Sequence, residues 1–115
     1  MPIIQEYDFG HIQINDKSYS TDVIVFQEEV LSNWWRKKGH SLHLDDLNAV
    51  ITKKPEIIII GTGFHGLMVV PKELITDLEE KGFKVIVKRS SDAVKDYNIF
   101  VKNNQNVAVA LHLTC

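Results

Sequence analysis

The sequence predicts an α/β fold: a single domain whose helices pack on a central mixed β-sheet, with a β-hairpin at its N-terminus. Three observations carry that expectation. Ile57 to Ile60 form an unbroken β-branched run between Pro55 and Gly61, without the polar positions that an amphipathic helix or a half-solvated strand would show. Downstream, stretches with helical spacing alternate with short apolar runs in the order strand–helix–strand–helix–strand, which gives parallel pairs joined by right-handed crossovers. The 115 residues, 44% apolar and 24% charged, suffice for one domain with a sizeable core.

Taken in order, Phe9 to Ile14 and Tyr19 to Phe26 read as the two arms of the hairpin, joined by the turn formers Asn15-Asp16-Lys17-Ser18. Val23 to Phe26 is contiguous and apolar, so the second arm is expected to be covered on both faces. Gln27 to His40 reads as an irregular excursion: Val30, Leu31, Trp34 and Trp35 have helical spacing, but Gly39 soon ends any element. Asp45 is expected to cap a short helix with Leu47, Val50 and Ile51 on its apolar stripe, Lys53 and Lys54 at its negative end and Pro55 as its stop.

The isoleucine strand and a glycine loop follow. Pro71 suits the first position of the next helix, with Glu73 in its first turn, Leu74, Ile75 and Leu78 on its buried face and Gly82 as its C-terminal cap. Phe83 to Val87 reads as a strand. Ser90 or Ser91 is expected to cap a third helix carrying Ala93, Tyr97, Phe100 and Val101 on one side. Asn103, Asn104 and Asn106 then turn the chain into a last strand, Val107 to Leu111.

Composition narrows the function classes. A formal charge of −2 exerts no global pull on nucleic acid or on an anionic membrane. Cys115 is the only cysteine, so an intrachain disulfide is excluded and a reducing compartment is expected. The opening MPIIQEYDFG is not a secretory signal, and no apolar run approaches the roughly 20 residues needed to span a bilayer. A soluble, cytoplasmic protein is expected, with neither nucleic acid nor membrane as partner.

The carboxyl end of a buried strand is where ligands most often sit in open α/β sheets, so the turn after Ile60 is the first place to look. Gly61-Thr62-Gly63-Phe64-His65-Gly66 matches G-x-G-x-x-G. In a dinucleotide fold the helix starts at the second glycine, whereas here it waits for Pro71, and Lys88-Arg89 stand where an acidic residue belongs. No dinucleotide or other cofactor is expected. A narrower possibility is a small-anion pocket made by the amides of the turn with Thr62 and Lys88 or Arg89.

Other groups are weighed against plainer roles. His40 and His43 with Asp45 and Asp46 resemble a metal set, but positions three apart on a strand face opposite ways and Asp45 is already assigned as a cap, so no metal is expected. His65 could act as acid, base or donor near neutral pH, yet lacks a sequence partner. In Trp34-Trp35-Arg36-Lys37-Lys38, one tryptophan is expected to anchor the excursion while the lysines stay solvated. The other tryptophan, if exposed, is a natural hot spot for a protein partner.

Several stretches together resemble a known family: Trp35-Arg36 with Gly39-His40, Ile60-Gly61-Thr62-Gly63, Val70-Pro71, the segment from Ser90 to Asn98, and the ending His112-Leu113-Thr114-Cys115. It is the small single-domain family that includes an animal adipogenesis-associated cytoplasmic protein, a mitochondrial complex I assembly factor and many uncharacterised bacterial and archaeal chains. The resemblance spans nearly the whole chain and implies a compact α/β fold with a central mixed sheet. It implies no catalytic residues, and by analogy with better-known members it points to action through protein partners.

The expectation is therefore a non-enzymatic binding or adaptor domain, acting on an unknown protein partner or on a second copy of itself, with Trp34 or Trp35 in the contact. The alternative is a small-anion or small-ligand binding protein, or an enzyme, using a cleft at Gly61 and Gly63 with Thr62, His65, Arg89 and His40 around it.

Overall fold

The four isoleucines divide two and two. In the computed structural model, which describes residues 2–115, Ile57 and Ile59 enter one apolar cluster and Ile58 and Ile60 the other, and all four are buried. Period-two alternation inside an all-apolar run requires cover on both faces, and the chain supplies it. These residues form β6 (Ile57–Gly61), which pairs in parallel with β7 (Lys84–Lys88) on one side and β8 (Val107–Leu111) on the other. β4 (Val23–Val25) runs antiparallel to β8, and β5 (Val30–Leu31) antiparallel to β4, completing a five-stranded mixed sheet in the order β5-β4-β8-β6-β7.

One face is covered by α3 (Ser90–Lys102), whose Ala93, Tyr97 and Val101 recur every fourth residue and meet Ile57, Ile59, Val107, Val109 and Leu111. On the other lie α1 (Asn48–Lys53) and α2 (Lys72–Glu80), which place Val50, Leu74 and Leu78 against Ile58, Ile60, Ala108 and Ala110. A separate antiparallel sheet of three strands, β1 (Ile4–Asp8), β2 (His11–Ile14) and β3 (Lys17–Tyr19), packs Ile4, Ile12 and Ile14 into the α3 side of the core. It is tied down by two neighbouring residues of α3. The Tyr97 hydroxyl donates to Pro2 O at 2.9 Å, and the Asn98 amide exchanges bonds with Ile4, donating to its carbonyl at 2.8 Å and accepting from its N–H at 3.1 Å.

The single α/β domain with a mixed sheet and an N-terminal hairpin is as expected, but the bounds of the hairpin are not. Its arms are β2 and β3, joined by Asn15 and Asp16, both with positive φ (48° and 67°), the conformation of a tight type I′ connection. Phe9 lies in the turn before β2 rather than in a strand, and the residues preceding it form β1. Val23–Val25 leaves that sheet altogether and joins the central one, so the antiparallel component of the mixed sheet comes from β4 and β5. A strand covered on both faces belongs in the interior sheet, and the contiguous apolar run at Val23 already carried that signal.

Four helix ends also differ. A 3₁₀ turn, Leu44–Leu47, precedes α1, and it is Asp46, not Asp45, that accepts the N–H of His43 (2.9 Å). Asp45 is exposed and pairs with Lys37 (2.9 Å). Lys54, with φ +51°, ends α1 before Pro55 is reached. Pro71 sits one position before α2. Ser90 is the first residue of α3 and wholly buried, its hydroxyl turned away from the helix. Gln27 to His40 is an irregular excursion as expected, apart from the two residues of β5.

Gly61 shows why the strand ends in glycine. A Cβ there would lie 2.6 Å from Leu111 Cδ2, 2.8 Å from Ser90 Oγ and 3.1 Å from Ser90 Cα, so β6 and the start of α3 touch backbone to backbone. Gly61→Ala is expected to lose about 1–3 kcal/mol through overpacking, and Gly61→Val more. Thermal melting of the two variants measures this, the expected result being a drop of several degrees that grows with side-chain size.

Candidate functional site at the carboxyl end of the central strand

The turn leaving β6 is built on its own hydrogen bonds. Thr62 N–H and its hydroxyl both donate to Lys88 O, at 2.9 and 3.2 Å. Gly63 N–H donates to Ser90 Oγ (2.9 Å), Phe64 N–H to Thr114 O (3.1 Å), Leu67 N–H to Cys115 O (2.9 Å) and Met68 N–H to Thr62 O (3.0 Å). Gly63 has φ +112°, and a Cβ there would collide with Thr114 O. The chain after β8 is thus strapped across the glycine turn.

This bears on each residue expected there. The amides of Thr62, Gly63, Phe64, Gly66, Leu67 and Met68 donate to carbonyls or to Ser90 within the fold. Arg89 turns its guanidinium onto Phe64 O (2.6 Å from Nη2) and braces the loop. His65 is exposed, its ring lying edge-on to Phe64 and tilted to Phe9. Hollows lined by Lys54, Glu56 and Phe83 and by Phe26, Lys53 and Asn106 open at the other end of the sheet, where β6 begins.

Behind the strap lies a polar cluster that sequence reading missed. Asp22 receives Arg36 Nη1 at 2.7 Å and His112 Nδ1 at 2.8 Å on one oxygen, and Leu113 N–H at 2.8 Å on the other. Arg36 is buried, packs over the Trp34 ring at 4.8 Å and donates from Nη2 to Gly39 O at 2.9 Å. Burial alone would push the Asp22 carboxyl up, but the bonds from His112, the Leu113 amide and Arg36 outweigh it and hold the group below the usual carboxylate range. Ionised Asp22 only accepts, so Nδ1 of His112 donates to it, with Arg36 Nη2 lying 3.0 Å from the same nitrogen.

Signals for this cluster existed. His112 stands alone in the otherwise apolar run from Val107 to Leu113, and Arg36 follows a tryptophan pair. The structure also redistributes the histidines. His43 approaches Asp46, whereas His40 meets the His112 ring edge-on, with centroids 5.9 Å apart. Trp34 is 7% exposed and anchors the excursion, donating from its indole N–H to Asp46 O at 2.9 Å, while Trp35 is 78% exposed.

Because its folded-state pKa is depressed, Asp22 contributes stability that is complete above the unfolded carboxyl value of about 3.9 and lost as pH falls through the folded value. Asp22→Asn is expected to cost about 3–5 kcal/mol near neutral pH, since Arg36 is left charged and buried without its partner. In urea titrations the gap between wild type and variant should narrow once the pH drops below about 4.

Comparison with known proteins follows the same outline. The family described as "Protein of unknown function (DUF498/DUF598)" matches residues 4–112. A 13 kDa major membrane protein of Francisella tularensis subsp. holarctica (strain LVS) is 32% identical over 111 residues, covering 90% of this chain and 85% of that one. The crystal structure of an outer membrane protein from Bartonella henselae superposes with a TM-score of 0.84 at 23% identity, over 99% of this chain and 96% of that one. The conserved hypothetical protein PH1505 from Pyrococcus horikoshii OT3 does so with a TM-score of 0.83 at 21% identity, over 97% and 98%. These two likenesses show a shared fold. No helix among the described residues is long and apolar enough to cross a membrane. By the extent of the family match and of the Francisella relative, the chain belongs to the DUF498/DUF598 family of proteins of unknown function.

Proposed function

We propose that the chain is a non-enzymatic protein-binding domain of the cytoplasm that docks a partner on the rim formed by the glycine loop and the tryptophan excursion. The observation that carries this reading is the exposure of large apolar side chains at that end: Trp35 at 78%, Leu67 at 61% and Val69 at 58%, with Phe9 also exposed beside Phe64 and His65. Large exposed apolar groups held on a braced loop suit a partner's surface, and tryptophan is the residue most enriched at binding hot spots. The polar groups of the turn support recognition over bond-making, because Thr62 holds the loop to β7, and Arg89 and Ser90 hold it to the start of α3 and to the strap.

Resemblance to the branches with an adipogenesis-associated protein and a complex I assembly factor supports action through protein partners. The membrane-protein names of the Francisella and Bartonella relatives favour a membrane-bound setting instead, and cell fractionation distinguishes the two locations.

The test compares affinity-captured partners of wild type, Trp35→Ser and Leu67→Ser. A specific partner should bind wild type and lose about thirtyfold in affinity on the Trp35 change, a hot-spot loss of about 2 kcal/mol. Stability should move by no more than about 0.5 kcal/mol, because the side chain is exposed. If the partner is a second copy of the chain, sedimentation shows it directly, and the same variants should be monomeric. Equal binding by all three proteins contradicts the proposal.

A further inference from the structure

We infer that His40, His112 and Cys115 form a three-ligand site for a zinc-type cation, independent of the partner-binding reading. Their ligand atoms lie within 4.8 Å of one another, though they come from the tip of the excursion, the end of β8 and the strap. This set is not the His40–His43 pair that the sequence suggests, because folding sends His43 to Asp46.

A second observation singles out His112. Its side chain is only 6% exposed, yet Nε2 has no hydrogen-bond partner among the described residues. A buried polar atom left unpaired costs about 1–3 kcal/mol, and such an atom in a native protein points to an unseen ligand. Asp22 holds the opposite ring nitrogen and so sets the aim of Nε2, the carboxylate–histidine–metal arrangement that orients zinc ligands. The other two ligands stand nearer to solvent: His40 is exposed, giving an entry path, and Cys115 is half-buried.

Two imidazoles and a thiolate suit zinc, whose three-ligand sites leave a fourth position to water or to another ligand. Bond lengths of about 2.0–2.3 Å put tetrahedral ligand atoms roughly 3.3–3.7 Å apart. The cluster is therefore about 1 Å wider than its bound form, a distance that rotation of the exposed His40 and of Cys115 can close. Binding takes the two histidines in their neutral form and releases the thiol proton of Cys115 to solvent. A cysteine–histidine nucleophile is the competing use of the same pair, and it is the weaker one. Nearby amides that could stabilise an oxyanion, those of Gly63, Phe64 and Leu67, already donate within the fold, and that reading leaves His40 without a role. A bound ion would join the strap to the excursion across the end of the sheet.

The test titrates the reduced, metal-free protein with Co²⁺ and follows thiolate-to-cobalt charge-transfer absorption, then adds Zn²⁺. One ion per chain should give the band, and zinc should bleach it. Cys115→Ser should abolish the band, and His40→Ala should weaken cobalt binding at least about tenfold, in line with loss of one ligand. Neither change touches the sealed core, and a circular dichroism melt confirms that both variants fold. Three results overturn the inference: no thiolate band in the wild type, an undiminished affinity in His40→Ala, or one ion shared by two chains.

Discussion

The Asp22 carboxylate is the constraint on which the functional end of the molecule depends. A half-buried anion is tolerable when donors surround it, and those donors come from segments far apart in the chain: Arg36 from the excursion, His112 and the Leu113 amide from the end of β8. Satisfying one charge thus fixes where the excursion lies, where the strap begins and which way two side chains point. Arg36 extends the same logic to Gly39, and Trp34 lies under its guanidinium. The apolar core would hold the sheet and helices together without this cluster, but it would not specify the path of the loops beyond the sheet.

The sealed turn after β6 follows from packing rather than from ligand binding. Gly61 lets β6 approach α3, and Gly63 lets the strap cross the turn, so both glycines serve contacts within the fold. Ser90, buried between them, accepts the Gly63 N–H and donates to His112 O, which joins turn, helix and strap through one hydroxyl. Leu67 and Val69 face outward, and they are presented on a hydrogen-bonded base, which lowers the ordering cost of association.

What was legible in the sequence was what local pattern encodes. Ile57 to Ile60 announced a strand covered on both faces because no polar residue interrupts the run, and the fourfold spacing in Ala93, Tyr97 and Val101 announced a helix face. The second arm of the hairpin was drawn too long because Tyr19 and Val23 stand four positions apart yet belong to different sheets. Only the shift from alternating to continuous hydrophobicity marks that border. Asp22 and His112 are 90 residues apart, and no local rule pairs them. Ser90 read as a helix cap because its type and position fit one. Burial against Gly61 and Gly63 gave its hydroxyl other partners.

The central claim is that Asp22 holds His112 as the Nδ1–H tautomer with the lone pair on Nε2 facing the strap. Imidazole nitrogen chemical shifts of ¹⁵N-labelled protein near neutral pH test it most directly. The account predicts a protonated Nδ1 and an unprotonated Nε2, with Asp22→Asn shifting that balance if the variant stays folded. A proton found on Nε2 would contradict the account, removing both the carboxylate's hold on the ring and the free nitrogen on which the metal site rests.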